Sequence, residues 1–261
     1  MTLQLYSAKQ YIKHWQMAKG RHSLHSPFLY NLYDRCLHKQ AKHPSDNSIE
    51  NIRKQVLQNN TIIPINDLGA GSHVTNQAKR SIRSIAKYSL KSQKEAKFIA
   101  CLAQKINAKS IVELGTSLGI TTAYLALYNS NSAITTIEGS PEIARLASSN
   151  FKQLKINNIN LITSNFDDVL TQVVKDTKPD ILFIDGNHTY EACLRYFNTV
   201  KPLLAKDSFI VFDDIYWSKE MTEAWKEIIS DSKVQLSIDL FHLGIISFSS
   251  NYSKQHFTLK W

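Results

Sequence analysis

The sequence predicts an α/β fold: a mostly parallel sheet of about seven strands wrapped by helices, one antiparallel strand at an edge, and an N-terminal helical cap. Three observations carry this. From about residue 110, short β-rich runs alternate with stretches of helical spacing. Glycines gather in the turns after those runs. The last two β-rich runs are joined too closely for a crossover, which requires an antiparallel pair.

Residues 1–60 read as helices: "YSAKQYIKHWQMAKG", "SPFLYNLYDRCLHKQ" and "SIENIRKQVLQ". Residues 92–107 form a helix that leads into the first core strand. Strands are expected at "SIVEL" (110–114), "AITTIE" (133–138), "INLIT" (159–163), "ILFID" (181–185) and "SFIVFDD" (208–214). Between them, Ile143, Ala147, Phe151 and Leu154 make an apolar helical stripe, opened by Ser140 as N-cap and Pro141 at the first helical position. Leu194, Phe197 and Val200 mark another. "VQLSIDLF" and "LGIISFSS" form the closing antiparallel pair. The chain divides into a basic, mainly helical cap (1–90) and a core (91–261).

The composition excludes several classes. No apolar run approaches the roughly 18 residues a membrane helix needs, and the first twenty residues have no signal-peptide core. Cys36, Cys101 and Cys193 stand alone, without a CxxC pair. That argues against a disulfide framework or zinc ribbon and points to a reducing, cytoplasmic setting. The charge is lopsided: the first hundred residues hold 16 Lys/Arg against 5 Asp/Glu, and the remainder 15 against 17. A basic arm suits an anionic substrate, nucleic acid or a membrane surface, and equally a solvated helical face.

Two glycine turns compete as the ligand site. "INDLGAGSH" (65–73) is followed by no further strand and no second acid, and reads as a turn in the cap. "IVELGTSLGIT" (111–121) follows a strand and opens a helix, and Glu138 closes the next strand 19 residues beyond Gly119. That is the spacing at which a carboxylate reaches a ribose diol. Ser117 stands where a dinucleotide fingerprint needs glycine, and Ile120 follows Gly119 where a P-loop needs lysine. Glu113 before the turn repels phosphate and suits a cation. A ligand with a ribose, an ammonium group and no phosphate is S-adenosylmethionine.

At these motifs the chain resembles the class I S-adenosylmethionine-dependent methyltransferases, a Rossmann-like fold. It is most similar to the branch with catechol and caffeoyl-CoA O-methyltransferases. The resemblance runs from "SLKSQKEAKFIACLAQ" through "ITTIEGSPEIARLA" and "ILFIDGNHTYEACLRYF" to "FIVFDDIYW", about 89–217. It implies that Glu113 anchors the methionine ammonium through water, that Gly115, Thr116 and Ser117 line the methionine, and that Gly119 lets the next helix approach. It further implies that Glu138 takes the ribose hydroxyls beside Gly139, and that Asn165 and Phe166 contact adenine. A homodimer is also in keeping with the resemblance.

Asp185, Asp213 and Asp214 close the fourth and fifth core strands. Neighbouring strands lie about 4.8 Å apart, so these acids can converge on Mg²⁺ or another divalent ion. The resemblance implies Asp, Asp and Asn as metal ligands, so Asp214 departs from the pattern. The alternative is that Asp185 orients substrate or cofactor without metal. His188 lies three residues after Asp185, where the metal-dependent enzymes often carry lysine, and histidine suits the role of general base. Tyr190 and Trp217 are candidate acceptor contacts; His22, His25 and Tyr30 read rather as packing and surface.

The expected activity is O-methylation of a small-molecule hydroxyl acceptor, anionic if the basic cap serves it. Two other readings stay open: a methyltransferase docked on RNA or protein by the basic arm, and a non-catalytic S-adenosylmethionine-binding scaffold. Against nucleic acid stand the lack of an "NPPY"-like motif and of any recognised nucleic-acid module.

Overall fold

The computed structural model describes residues 3–65 and 79–261. The second glycine turn, "INDLGAGSH", lies almost wholly outside the described residues. The cap comprises α1 (Leu3–Met17), α2 (Pro27–Leu32), α3 (Asp46–Gln58), a small antiparallel pair β1 (Ile62–Pro64) and β2 (Lys79–Ser81), and α4 (Ile82–Ser89). α2 runs on into a π-helical turn over Tyr33–Lys39. The core follows: α5 (Gln93–Lys105), β3 (Ser110–Leu114), α6 (Ile120–Tyr128), β4 (Ala133–Glu138), α7 (Pro141–Gln153), β5 (Ile159–Thr163), α8 (Phe166–Thr177), β6 (Ile181–Ile184), α9 (Tyr190–Val200), β7 (Phe209–Asp213), α10 (Lys219–Ser230), β8 (Leu236–Asp239), β9 (Leu243–Ser247) and β10 (Gln255–Thr258).

Local chemistry fixes the helix starts. Ser92 and Glu95 form a capping box at α5, and the Ser140 hydroxyl accepts the Ile143 N–H at α7 with Pro141 behind it. α6 is buried over Ile120–Ala126, because it lies between the sheet and the cap.

The eight-stranded sheet has the order β10-β8-β9-β7-β6-β3-β4-β5. Five central strands are parallel, as expected, and wrapped by helices on both faces. Successive strand residues face opposite layers. Ile111, Ile134, Phe183 and Val211 pack under α5, α6 and the cap, whereas Val112, Ile137, Leu182 and Ile210 pack under α8, α9 and α10. Leu29, Leu32 and Ile49 of the cap belong to the first of these clusters.

Two sequence expectations are corrected. The reversed strand is β9, and it lies inside the sheet, antiparallel to both β7 and β8, not at an edge. An additional strand, β10, pairs in parallel with β8 and forms that edge. The cysteine reading is also overturned. Cys36 in the π-helical turn and Cys101 on α5 form a disulfide across 65 residues, and only Cys193 is a free, buried thiol. Packing of two helices distant in sequence brings the pair together, which spacing alone does not reveal. The argument for a reducing compartment loses its premise. No described helix is long and apolar enough to cross a membrane.

The disulfide closes a long loop and ties the cap to the core. Reduction, or the double substitution C36S/C101S, is expected to lower stability by about 2–4 kcal/mol, read as a lower urea midpoint with the same fold by circular dichroism.

Candidate active site

The chain leaves β3 for β4 on one side and returns to β6 on the other, so β3 and β6 flank the point where the strand order reverses. Open α/β sheets bind ligands at the carboxyl ends of strands there. The two strand ends are locked together: the Asp185 N–H donates to the Leu114 carbonyl at 2.9 Å. Gly115 adopts φ +100°, and a Cβ on it would stand 1.8 Å from the Asp185 carbonyl oxygen. No other residue fits. At Gly119, φ +77°, a Cβ would meet the Phe151 ring at 2.5 Å, so glycine is what lets α6 start against α7. Between them Ser117 takes the left-handed conformation (φ +48°) despite its side chain.

Glu113 is fully buried at the end of β3. Its Oε2 accepts hydrogen bonds from Thr122 and, at 2.7 Å, from Thr136. Its Oε1 is buried with no partner among the described residues. Burial pushes this carboxyl up to about 7, against the pull of the two threonine hydroxyls. Thr116 joins the same network, its hydroxyl bonded to that of Thr136 at 2.6 Å. Glu138 closes β4 with each oxygen on a backbone amide, Ser117 N–H at 2.8 Å and Ser140 N–H at 2.9 Å, and Gly139 lies in this turn. Asn165 caps α8 by accepting the Asp167 N–H, and Phe166 lies against Gly186 and the Tyr196 ring.

A second cluster lies across the ends of β6 and β7. Asp185, His188 and Asp213 bring ligand atoms within 4.8 Å of one another. His188 Nε2 is 3.6 Å from Asp185 Oδ1 and 4.0 Å from Asp213 Oδ2. Among them stands Lys91, whose Nζ bonds Asp213 Oδ2 and lies 3.8 Å from Asp185 Oδ1. Burial opposes the charge on this ammonium, but Asp185, Asp213 and Asp214 together hold it well above the ordinary lysine range. Burial also pushes the Asp185 carboxyl up to about 6, with the Lys91 charge pulling the other way. Asp213 is 1% exposed, and its Oδ1 has no partner among the described residues.

Residues 112–215 match the sequence model of a family described as a methyltransferase domain. That segment is thus similar to methyltransferase domains. A catechol O-methyltransferase of Niastella koreensis is 30% identical over 128 residues, 48% of this chain and 57% of that protein. An uncharacterised protein of Acanthamoeba polyphaga mimivirus is 36% identical over 73 residues, 26% of this chain and 33% of that protein. The aligned part of the chain thus spans a third to rather more than half of these curated relatives. An O-methyltransferase from Bacillus cereus, solved with S-adenosylhomocysteine, superposes with a TM-score of 0.55 at 18% identity, covering 83% of this chain and 94% of that one. That likeness is one of fold.

The matched segment gathers Glu113, Gly115, Ser117, Gly119 and Glu138 around one turn, and Asp185 and Asp213 beside it. Asp214 departs from the expected carboxylate trio. It adopts φ +52°, and its carboxylate is not among the converging atoms, which His188 completes instead. Lys91 is the participant that sequence reasoning missed. It comes from the link between α4 and α5, 122 residues from Asp213, and no local pattern marks it. The Lys91 ammonium also bears on the expected metal. A divalent ion needs oxygens at 2.0–2.1 Å for Mg²⁺, and Lys91 already bonds the Asp213 oxygen that would supply one. An ion held by Asp185, His188 and Asp213 would have to displace that ammonium from Asp213. Tyr190 donates its hydroxyl to Glu227 of α10 at 2.5 Å, Trp217 is 41% exposed, His22 and His25 are exposed, and Tyr30 binds Arg21.

Glu113 gives a pH-dependent prediction. Its folded value lies above its ordinary 4.5, so the neutral form stabilises the fold fully below about 4.5, and that contribution is lost as pH rises through about 7. E113Q keeps an oxygen for the two threonines and never ionises. It is expected to be more stable than wild type at pH 8, by up to about 3 kcal/mol, and equal to it at pH 4, in urea melts at the two values.

Proposed function

We propose that the protein transfers a methyl group from S-adenosylmethionine to a hydroxyl of a small, anionic aromatic acceptor. The observation that carries the reading is the buried Oε1 of Glu113, without a partner among the described residues, beside a glycine turn whose cradle a Cβ would fill. A buried carboxylate oxygen without a donor suits the methionine ammonium, directly or through water. It does not suit a phosphate. In this reading Glu138 at the next strand end meets the ribose, and Phe166 beside Gly186 offers a ring edge for adenine. The catechol O-methyltransferase relative supports an oxygen acceptor.

When bound, the sulfonium supplies an already activated methyl group, which leaves alignment and deprotonation to the protein. The acceptor oxygen attacks that carbon, the carbon–sulfur bond breaks with its electron pair left on sulfur, and the hydroxyl proton goes to His188 Nε2. Asp185 and Asp213 flank that imidazole.

A cavity of about 460 Å³ is the acceptor's place in this reading. It lies between α1, the start of α5 and the β8–β9 turn. Its lining includes Tyr11, Trp15, Phe241 and Trp261, with Lys94 5.0 Å above the Trp261 ring and Lys260 4.8 Å above Trp15. Ser92 in its wall follows Lys91, and His242 precedes Leu243, the ladder partner of Asp213. Aromatic walls with cations suit a flat ring bearing a carboxylate or phosphate.

Calorimetry of the full chain with S-adenosylhomocysteine is expected to give one-to-one binding; absence of heat from folded protein overturns the reading. With the methyl donor and a panel of phenolic acids, H188A is expected to lower kcat by about 10²–10⁴. K94A/K260A is expected to raise KM about tenfold with little change in kcat.

A further inference from the structure

We propose that the Lys91 ammonium is a tethered cation that takes the place of a divalent metal ion in this site. Its role is to hold the acceptor oxygen as negative charge builds on it. The chemical meaning rests on the methyl-transfer reading, but the occupancy itself does not.

The geometry carries the proposal. Lys91 Nζ bonds Asp213 Oδ2 and lies 3.8 Å from Asp185 Oδ1, with its side chain 13% exposed. An ion bound to Asp213 Oδ2 would share one oxygen with the ammonium, and two like charges at such range repel in a buried site. The ammonium therefore excludes the ion for as long as it stays.

It is also held there. Arg53 of α3 donates from Nη1 to the Lys91 carbonyl at 2.7 Å, and its Nε donates to Glu50 at 2.9 Å. Glu50 in turn accepts from the Tyr124 hydroxyl of α6 at 2.9 Å. Ser92, the next residue, is fixed by the capping box of α5. The backbone on either side of the Lys91 side chain is thus pinned by the cap and by the core.

The cluster is not a closed structural ion pair. Among the described residues only Asp213 accepts a hydrogen bond from the ammonium, which leaves it two N–H groups. Asp213 Oδ1 is buried without a partner. A pair that served only stability would have its buried polar atoms satisfied. The two unused N–H groups of the ammonium suit an acceptor oxygen. In the reaction the oxygen stays on the Lys91 N–H while its proton passes to His188, so the cation does for the nascent oxyanion what a metal does elsewhere.

The test is Mn²⁺ occupancy on the full chain after EDTA treatment, read from the free-ion signal in electron paramagnetic resonance. Wild type is expected to leave that signal unchanged at concentrations where K91A and K91S remove one Mn²⁺ per chain. The gain in affinity is expected to be at least about tenfold, and lost again in K91A/D185N. Stoichiometric Mn²⁺ on wild type overturns the proposal, whatever the variants do. So does a failure of both variants to gain Mn²⁺ while keeping their thermal melts and their affinity for S-adenosylhomocysteine. A wild type that binds neither Mn²⁺ nor S-adenosylhomocysteine defeats the methyl-transfer reading, whereas one that binds both defeats only the tethered cation.

Discussion

The backbones of Gly115 and Asp185 meet with no room for a methyl group between them. This contact joins the ends of β3 and β6 at the place where the strand order reverses. Everything proposed for the site is referenced to it. Glu113 precedes the contact by two residues and is buried by it. Asp185 is carried by it, and through Asp185 the placing of His188. The constraint is one of volume and backbone angle together, because the left-handed φ and the facing carbonyl each require glycine independently.

Much of this is legible in the sequence because the central strands are buried on both faces. Such strands must be short runs rich in β-branched residues, and "SIVEL" and "AITTIE" coincide with β3 and β4, while "INLIT" coincides with β5, a half-buried edge strand. A helix start is equally plain where Ser140 and Pro141 announce it. β10 is not, because "QHFT" is a polar edge strand with Gln255 and His256 exposed and no apolar run to mark it. The interior place of β9 is hidden for the opposite reason. β8 and β9 are both wholly buried, so composition does not say which of the two lies next to β7. Ser117 carries a different lesson. The missing glycine argues against a dinucleotide fingerprint, yet the serine takes the left-handed conformation all the same. The Cys36–Cys101 bond and the approach of Lys91 to Asp213 both depend on tertiary packing alone, which no spacing encodes.

The uneven charge of the chain gains a physical account from the same contacts. Part of the positive excess in the first hundred residues is turned inward onto acids. Lys91 meets Asp185 and Asp213, and Lys97 of α5 meets Asp46 of α3. Arg53 carries the effect indirectly through the Lys91 carbonyl. Lys94, from the same stretch, lies outward at the aromatic cavity, where Lys260 from the far end of the chain joins it. A basic stretch in sequence therefore has two roles here, buried neutralisation and an exposed rim, and only the second concerns a ligand's charge.

The bond from Arg53 to the Lys91 carbonyl has a consequence for anyone dissecting the molecule. Severing the chain before residue 91 would remove the guanidinium that anchors this segment. It would also create a new α-amino group within one residue of the acids, a second mobile positive charge competing with the native one. The shortened protein would also lose Leu29, Leu32 and Ile49 from the core and the Cys36–Cys101 bond. Assays on such a fragment would therefore describe a different chemical environment from that of the intact chain.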